Sequence, residues 1–501
     1  MAQQRLTRRG FLRRASLTAA ALAAPTAIAG SAGAAPAGKR RPNVLFIAVD
    51  DLRPQLGCYG EGIMVTPNFD RFAATARLFR RQYVAMPTCG ASRCALLTGQ
   101  RPRSRQRMGN GAFGSLSRKR TAQPQSMPEL FRRNGYRTVS LGKISHQPDG
   151  HVFTYTGGGD GHEEVPFAWD EVTGPKGKWK TAWNAFFGYA DGSSRTYNPK
   201  ATATECADVG DDGYPDGNTA SAAVEKLTAL ARGSQPFFFG VGFFKPHLPF
   251  TAPKKYWDLY DRDKIPMSPV PEKPEGINPS SWHGSGECFN RKYNLPASKR
   301  SDPATRRLLR HAYFAAVSYV DAQVGKVLDA LEKLRLADNT IVVVWGDHGW
   351  HLGDHDIWGK HTKYEWALRS ALMVRTPGMP KPGKATDALV EAIDLYPTLA
   401  GLCDLAPPGT VEGVSLAPVL RDPGATVKDR AFGYWRGGVT MRTDRWRITA
   451  HAKGKPTVEL YDHRADPHEA RNVAADNPDV VARLLPALRR HAATWPGLKI
   501  P

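Results

Sequence analysis

The sequence predicts an α/β fold in which a mostly parallel sheet lies between layers of helices, followed by a smaller C-terminal α+β subdomain. Residues 43–49 form a continuous run of apolar and β-branched residues, which is typical of a strand buried on both faces. Residues 341–345 form a second run of this kind, and segments with helical periodicity lie between the two. In such sheets ligands bind beyond the carboxyl ends of the strands. We therefore expect functional residues in the loops that follow these two runs.

The other elements of the main domain, residues 43–396, are predicted from local patterns. Helices are predicted over residues 67–76, from Cys89 to the residue before Gly99, from the cap Ser126 to about Gly135, and over residues 304–336. Strands are predicted over residues 138–141, 236–242 and 371–375. Residues 151–216 lack clear periodicity, and we expect this long insertion to lie near the functional site.

The pattern changes after about residue 397. Residues 431–461 read as short strands, and residues 479–494 as a closing helix. Asn477 is the expected cap of that helix, and Pro478 suits its first position. These features predict the smaller α+β subdomain over residues 397–501.

The N-terminus has the features of an export signal. Residues 7–13 carry a twin-arginine pattern, residues 17–29 an alanine-rich apolar run, and residues 32–34 a plausible cleavage site. We predict a signal peptide over residues 1–34, a linker over residues 35–42, and export to the periplasm or the medium by the twin-arginine translocase. A membrane anchor is the alternative, but the apolar run is short and is interrupted by Pro25. No later segment is apolar enough to predict a membrane span.

The net charge and the spacing of the cysteines exclude several classes of function. The 501 residues carry a formal charge of +22, or about +17 without the five arginines of residues 1–34. This surplus favours an anionic partner such as a sulfated polysaccharide, although it could serve solubility alone. No nucleic-acid motif is present, so we predict no nucleic-acid role. The six cysteines are scattered without a CxxC pair, which excludes a disulfide scaffold or zinc finger but allows one or two disulfides.

The most informative stretch is residues 87–102, PTCGASRCALLTGQRP. Cys89 begins the predicted helix, where unpaired N–H groups and the helix dipole stabilise negative charge. Arg93 follows one turn later and adds a fixed cation. This arrangement suits a site that processes sulfate or phosphate. The alternative is a buried structural cysteine beside a surface arginine.

Acidic residues follow both buried strands. Asp50 and Asp51 come after the first strand, and Asp347 comes after the second. Several carboxylate oxygens suit a hard divalent cation such as Ca²⁺ or Mg²⁺. His348 either binds the same ion or hydrogen-bonds to the nucleophile. Acidic residues at strand ends are also common in ordinary loops.

Taken together, these motifs resemble the sulfatase family, most closely its iduronate-2-sulfatase branch. In the sulfatase signature, the matching residues are Cys89, Ser92, Arg93, Leu97, Thr98, Gly99 and Arg101, while Ala91 stands where proline is commonest. Two metal loops of that branch resemble residues 50–60 and residues 347–360. Its lysine and histidine elements resemble Gly142-Lys143 with His146, and Lys245-Pro246-His247. Residues 459–469 resemble the C-terminal sulfatase signature.

The resemblance implies an alkaline-phosphatase-like fold and a sulfuric ester hydrolase. It implies that a formylglycine-generating maturase oxidises Cys89, and that the metal is held by Asp50, Asp51, Cys89 as formylglycine, Asp347 and His348. The implied catalytic residues are Cys89, Arg93, Lys143, His146, His247 and Lys360. Of these, Arg93, Lys143 and Lys360 would cancel negative charge, His247 would protonate the leaving alcohol, and His146 would act as the base. The implied substrate is a sulfated uronic acid or another sulfated glycan.

Two other functions stay open at this point. A phosphodiesterase or phosphonate monoester hydrolase of the same fold would use similar metals. A non-catalytic binder of sulfated glycans would result if Cys89 were never converted. His351, His361, Lys363 and Arg369 are weaker site candidates, which either bind a substrate carboxylate or form a solvated face.

Overall fold

We describe the protein from a computed structural model. The structure describes residues 41–152, 160–174, 176–289, 293–495 and 498–500. The predicted signal peptide over residues 1–34 and nearly all of the linker therefore lie outside the described residues. Among the described residues, no helix has the length and apolar character needed to cross a bilayer.

The strands are β1 (Asn43–Val49), β2 (Arg77–Tyr83), β3 (Arg137–Gly142), β4 (Glu171–Thr173), β5 (Thr204–Ala207), β6 (Phe237–Phe243), β7 (Phe250–Pro253), β8 (Thr340–Gly346), β9 (His351–Leu352), β10 (Trp358–Gly359), β11 (Leu372–Arg375), β12 (Ala385–Glu391), β13 (Ala431–Trp435), β14 (Gly438–Arg442), β15 (Trp446–His451) and β16 (Val458–Asp462). The α-helices are α1 (Pro67–Ala73), α2 (Cys89–Thr98), α3 (Met127–Arg133), α4 (Ala182–Phe186), α5 (Pro215–Ala231), α6 (Lys254–Trp257), α7 (Pro303–Lys333), α8 (Glu365–Leu368), α9 (Leu395–Leu402), α10 (Ala417–Arg421) and α11 (Pro478–Ala493).

The central sheet has eight strands in the order β12-β2-β11-β8-β1-β6-β3-β4. Only β11 runs antiparallel to its neighbours, so the prediction of a mostly parallel sheet is confirmed. Strand β1 lies at the centre, where Val44 pairs with Phe238 of β6 on one side and Ile341 of β8 on the other. Every residue of β1, β6 and β8 is buried, which explains their continuous apolar sequences.

Several predicted elements are confirmed, and two differ in detail. The long helix predicted over residues 304–336 is α7, and the helix that begins at Cys89 is α2, which ends at Gly99 in a left-handed conformation. Helix α1 ends three residues earlier than predicted, at Ala73, because residues 77–83 form the unpredicted strand β2. The insertion over residues 151–216 contains β4, α4 and β5 rather than loops alone.

Two details near the C-terminus also differ from the prediction. Asn477 precedes α11 as predicted, but its side chain donates to the carbonyl of Val473 and does not cap the helix. All six cysteines lie in the described part of the chain and none forms a disulfide, so the possible disulfides are not found. The proposed division at residues 396 and 397 falls inside α9 and remains a prediction.

The four strands β13–β16 form an antiparallel sheet against which α11 packs. A buried ion network joins this sheet to the rest of the molecule. Arg447 of β15 is 1% exposed and donates to Glu469 and, at 2.5 Å, to Glu365 of α8. Tyr83 of β2 also donates to Glu365, at 2.9 Å.

Replacing Arg447 with methionine is expected to lower the free energy of unfolding by about 3–5 kcal/mol, because it removes the cation that two buried carboxylates share. Of their ion-pair partners among the described residues, only Arg442 near Glu365 and His463 near Glu469 would remain. Burial would raise the pKa of Glu365, but cationic neighbours that include Arg447 lower it to about 2. The network therefore stabilises the fold above the unfolded-state pKa of a glutamate, about 4.3, and this contribution is lost as the pH falls toward 2. Urea unfolding at pH 7 and at lower pH measures both effects. Arg445→Met, at a half-exposed pair, is the control and should change stability little.

Candidate active site

Four neighbouring strands of the central sheet, β8, β1, β6 and β3, end at the same edge. The chemistry predicted from the sequence lies in the loops that follow them. Those loops place Asp50 and Asp51 after β1, Asp347 and His348 after β8, Lys143 and His146 after β3, and His247 after β6. Because adjacent parallel strands bring their carboxyl ends together, these residues converge although nearly 300 positions separate Asp50 from Asp347.

Cys89 is the first residue of α2 and is 3% exposed. Its Sγ atom lies 3.3 Å from Lys360 Nζ and 3.4 Å from His348 Nε2. Burial raises the pKa of the Cys89 thiol well above its usual value, and Asp50 adds to this effect. Burial therefore disfavours the thiolate, which is the nucleophilic form of an unmodified Cys89.

Arg93 lies one turn further along α2 and is fully buried. Its Nε atom donates to Asp347 Oδ2 at 2.9 Å, and its Nη2 atom donates to Asp50 Oδ1 at 3.1 Å. Burial alone would lower the pKa of Arg93, but the carboxylates of Asp347 and Asp50 raise it above its usual value. Arg93 thus links the loops after β1 and β8 to the helix that carries Cys89.

Two buried lysines complete the ion pairs. Lys143 Nζ donates to Asp50 Oδ2 at 2.6 Å, and Lys360 Nζ donates to Asp51 Oδ1 at 2.7 Å. Lys143 can turn toward Asp50 because Gly142, at φ +72°, ends β3. The neighbouring Gly242 of β6 leaves room as well, since a Cβ atom there would lie 2.2 Å from the Lys143 backbone.

The carboxylates fit a divalent cation. Ligand atoms of Asp50, Cys89, Asp347 and His348 lie within 4.8 Å of one another, and those of Asp50, Asp51, Cys89 and His247 do likewise. Asp51 Oδ2 is buried without a hydrogen-bond partner. Burial raises the pKa of Asp51 despite Lys360, and burial with the nearby Asp50 raises the pKa of Asp347 to about 7. An uncompensated carboxylate oxygen among crowded acids is the environment that Ca²⁺ or Mg²⁺ relieves.

The His348 ring lies between the nucleophile position and the carboxylates. Its Nε2 atom is 3.3 Å from Asp51 Oδ1 as well as 3.4 Å from Cys89 Sγ, while Nδ1 is 3.0 Å from the carbonyl of Gly349. Burial lowers the pKa of His348 well below its usual value, so the ring is neutral. Both roles left open by the sequence, metal ligand and partner of the nucleophile, use this same Nε2 atom.

His247 and His146 are both buried. The His247 ring packs on Phe186, which Lys143 also contacts, and the His146 ring packs on Trp183. His247 Nδ1 bonds to the carbonyl of Leu248 at 2.5 Å, which leaves Nε2 as the atom available for proton transfer. Burial and Lys360 lower the pKa of His247 to about 3. Burial and Lys143 also lower the pKa of His146, whose Nδ1 has no hydrogen-bond partner.

A cavity of about 760 Å³ contains these groups in its wall. It is lined by Cys89, Lys143, His146, His247 and Lys360 together with Asn110, Trp183, Phe186, Phe187, Arg195, Trp282, His283, Glu287, Phe289, His361, Trp435 and Arg436. The insertion over residues 151–216 supplies the Trp183, Phe186, Phe187 and Arg195 wall, which confirms that this segment lies near the site. The antiparallel sheet supplies Trp435 and Arg436.

Several lining residues were not predicted from the sequence. Glu287 Oε1 lies 3.5 Å from His247 Nε2 and 3.9 Å from Lys360 Nζ. Burial would raise the pKa of Glu287, but Lys360 and the contact with His247 hold it well below its usual value. Arg195, Arg436 and Asn110 were also missed, because each lies in a loop or turn without periodicity or motif.

Of the four weaker candidates for binding a substrate carboxylate, only His361 lines the cavity. His351 is buried and bonds to Thr362 Oγ1 at 2.9 Å, Lys363 is 2% exposed, and Arg369 donates to the carbonyl of Arg80. None of these three lines the cavity. His361 does line it, but burial lowers the pKa of His361 to about 3, so its ring is neutral. His351, Lys363 and Arg369 thus lie away from the cavity, whereas His361 faces it.

Two family models and several known proteins match this chain. The family model described as Sulfatase matches residues 42–405, and one described as N-sulphoglucosamine sulphohydrolase, C-terminal, matches residues 353–492. The chain is 32% identical over 409 residues to the iduronate 2-sulfatase of Mus musculus, covering 73% of this chain and 69% of that protein. It is 32% identical over 475 residues to a sulfatase of Formosa agariphila, covering 91% and 88%.

Solved structures share the fold. The chain resembles a protein solved in complex with its substrate D-glucosamine-2-N,6-O-disulfate, with a TM-score of 0.67, 20% identity, and coverage of 91% of this chain and 98% of that one. It also resembles the phosphonate monoester hydrolase of Agrobacterium radiobacter, with a TM-score of 0.74, 24% identity, and coverage of 90% and 96%. These identities are low, so they support the alkaline-phosphatase-like fold and do not decide between the two activities.

Proposed function

The chain belongs to the sulfatase family, and from this premise we propose that it hydrolyses sulfate esters of an anionic glycan through a formylglycine made from Cys89 and a bound divalent metal ion. The observation that carries the proposal is the position of Cys89 at the start of α2, within reach of Lys360 and beside the Arg93 ion pairs. An anionic sulfate group needs this concentration of cationic groups. The phosphonate hydrolase alternative has support only from fold likeness, whereas sulfatases match at 32% identity.

The proposed residue roles are those that the family resemblance implies, and the geometry supports them. A hydrated formylglycine would supply the attacking hydroxyl and a second hydroxyl whose deprotonation would expel sulfate, and Asp50, Asp51, Asp347 and His348 would hold a Ca²⁺ or Mg²⁺ ion that would neutralise charge. Lys360 can donate to an oxygen at position 89, since its Nζ atom lies 3.3 Å from Cys89 Sγ. Lys143 and Arg93 keep Asp50 ionised and oriented.

The histidines are proposed to move protons. His247 protonates the leaving alcohol through Nε2, since Nδ1 is engaged by the Leu248 carbonyl. Its lowered pKa means that the resting ring is neutral, so the proton that His247 gives to the alcohol would first be taken from the attacking hydroxyl of the hydrate. His146 accepts the proton of the second hydroxyl, and its lowered pKa keeps it in the neutral form that a general base requires.

Processing and location complete the proposal. A formylglycine-generating maturase converts Cys89, and the twin-arginine translocase then exports the protein, with loss of residues 1–34. The 3% exposure of Cys89 supports conversion before the fold is complete. The mature chain would consist of a catalytic domain over residues 43–396 and a C-terminal subdomain over residues 397–501.

Peptide mass spectrometry at Cys89, combined with parallel assays of matched sulfate, phosphate and phosphonate esters, tests the proposal. We expect Cys89 to be formylglycine and sulfate esters to be the preferred substrates. Unmodified Cys89 with sulfated-glycan binding but no turnover would identify a binding protein. A preference for the phosphonate ester would identify the hydrolase alternative.

The substrate is proposed to be a sulfated uronic acid. Two cations that line the cavity, Arg195 and Arg436, support an anionic substrate, as does the likeness to iduronate 2-sulfatases. We expect kcat/KM for a sulfated uronate disaccharide to exceed that for its carboxyl-reduced analogue by at least about tenfold, or 1.4 kcal/mol. The difference should shrink as salt is raised, because exposed charges are screened within about 8 Å at physiological ionic strength. Equal values at low salt would reject carboxylate recognition.

A further inference from the structure

The C-terminal sheet reaches the cavity through a single hairpin. Strands β13 and β14 are joined by the two-residue turn Arg436-Gly437, whose φ values of +44° and +71° both lie in the left-handed region. Turns of this kind match the twist of a hairpin and hold it rigidly. An arginine at positive φ is uncommon, and such positions are concentrated at functional sites. The turn presents Trp435 and Arg436 to the cavity.

Arg436 differs from the other cations that line the cavity. Lys143 and Lys360 are paired with Asp50 and Asp51. Arg195 donates to the hydroxyl of Tyr293 at 2.8 Å and stacks on Phe187 at 3.5 Å. Within the described part of the chain, Arg436 has no hydrogen bond or ion pair, and its guanidinium carbon lies 5.8 Å from the ring centroid of its neighbour Trp435. It is an exposed, uncompensated guanidinium at the wall of the cavity.

A second donor lies on the side of the cavity next to Cys89. Asn110 Oδ1 accepts from the backbone N–H of Gly90 and from Thr88 Oγ1, both at 3.1 Å. The backbone donor fixes the amide orientation, so Asn110 Nδ2 is the free end of the side chain. Asn110 thereby caps α2, a task that the side chain of the N-cap residue Thr88 does not perform.

A chain of contacts connects these two groups. Thr88 Oγ1, which donates to Asn110, lies 3.4 Å from His361 Nε2. The His361 ring stacks on Trp435, with 4.7 Å between centroids and 13° between planes. Trp435 is in turn next to Arg436. Asn110, His361, Trp435 and Arg436 therefore form one continuous wall, which we name the hairpin wall.

We propose that the hairpin wall is the subsite for the sugar that carries the sulfate ester, in which Arg436 pairs with a substrate carboxylate and Asn110 Nδ2 donates to a sugar oxygen. The inference rests on the proposed sulfatase function and assigns its substrate selectivity to these two residues. Planar Arg guanidinium groups bind carboxylates through two parallel hydrogen bonds. We assign the carboxylate to Arg436 rather than to Arg195, because Arg195 is already held by Tyr293 and Phe187.

Arg436→Gln tests the carboxylate pair. We expect the variant to lose at least about tenfold in kcat/KM for a sulfated uronate disaccharide and less than twofold for its carboxyl-reduced analogue and for an aryl sulfate. Arg436→Lys keeps the charge and should lose less. Arg232→Gln removes the same charge from the end of α5, outside the cavity lining, and should behave as wild type.

Asn110 needs a pair of variants because it also caps α2. Asn110→Asp keeps an acceptor for Gly90 N–H, so its Tm should match wild type, but it replaces the free donor with a carboxylate. We expect at least a tenfold rise in KM for the disaccharide. Asn110→Ala should lower both the Tm and the affinity. A purely structural role predicts wild-type KM in Asn110→Asp.

The outcomes separate the subsite from the underlying function. If the wild-type protein with converted Cys89 hydrolyses no sulfate ester, the proposed function fails. If wild type is active but Arg436→Gln keeps the wild-type preference for uronate over the reduced analogue, the subsite assignment is overturned. Equal losses by Arg436→Gln on all three substrates would also overturn it, since they would indicate a general effect on the site.

Discussion

Replacement of Cys89 by alanine is expected to reduce turnover of sulfate esters by at least about 10⁴-fold while the protein keeps its fold, because loss of a nucleophile typically has effects of this size or larger. Alanine lacks the thiol group whose oxidation turns Cβ into the aldehyde of formylglycine, and the cationic groups around it cannot attack sulfur. The substitution deletes one buried sulfur at the first turn of α2, so secondary structure and cooperative unfolding should persist.

Cys94 offers a matched control for this experiment. It lies in the same helix, is equally buried, and packs in the apolar core rather than the cavity. Cys94→Ala should lose a similar amount of packing but retain turnover within a few fold. Cys89→Ser is less decisive, since serine keeps an oxidisable oxygen-bearing Cβ atom at position 89. Near-normal turnover by Cys89→Ala would rule out the assignment of Cys89 as the source of the nucleophile.

The residues that follow the central strands could be placed in the site from the sequence, for a physical reason. Asp50, Asp347 and Lys143 each follow a strand whose buried, β-branched sequence is easily recognised. Once the sheet is known to be mostly parallel, strand ends on one edge must meet. Positions one to three residues beyond such strands have little freedom, so their side chains can be placed without knowledge of distant contacts.

The substrate side of the cavity lacks that constraint. Glu287 lies in a loop, and Arg436 in a turn of the C-terminal sheet, whose position depends on contacts between segments far apart in sequence. The sequence leaves Lys363 either as a partner of a substrate carboxylate or on a solvated face, but the structure buries it with its side chain beside Gly438 of β14. Strand β2 was not predicted, because the exposed Arg80 and the half-buried Arg81 interrupt its apolar pattern. In each case a tertiary contact overrides the local signal.

Removal of divalent metal ions is expected to lower sulfatase activity by at least about 10³-fold, and Ca²⁺ or Mg²⁺ is expected to restore it. Around Cys89 the described structure places three aspartates, of which Asp51 has an oxygen with neither hydrogen bond nor exposure. Lys143, Arg93 and Lys360 compensate part of the charge, yet the pKa of Asp51 stays raised by burial and by its acidic neighbours. A bound divalent cation relieves the unfavourable burial of these carboxylates only in the folded state. Added metal should therefore also raise the Tm of the chelated protein.

Asp51→Asn separates the metal site from a nonspecific effect of the chelator. The variant removes the charge of Asp51, whose Oδ2 atom has no hydrogen-bond partner although Oδ1 is paired with Lys360. At a metal concentration that raises the wild-type Tm we therefore expect no rise and no recovery of activity. Asp387→Asn, at an exposed pair with Arg80, is the control and should show the full wild-type response to metal. Because the Tm shift needs no turnover, it tests metal binding even if Cys89 is incompletely converted. Full activity in protein shown by elemental analysis to be metal-free, or a wild-type Tm response in Asp51→Asn, would contradict the assignment of Asp51 as a ligand.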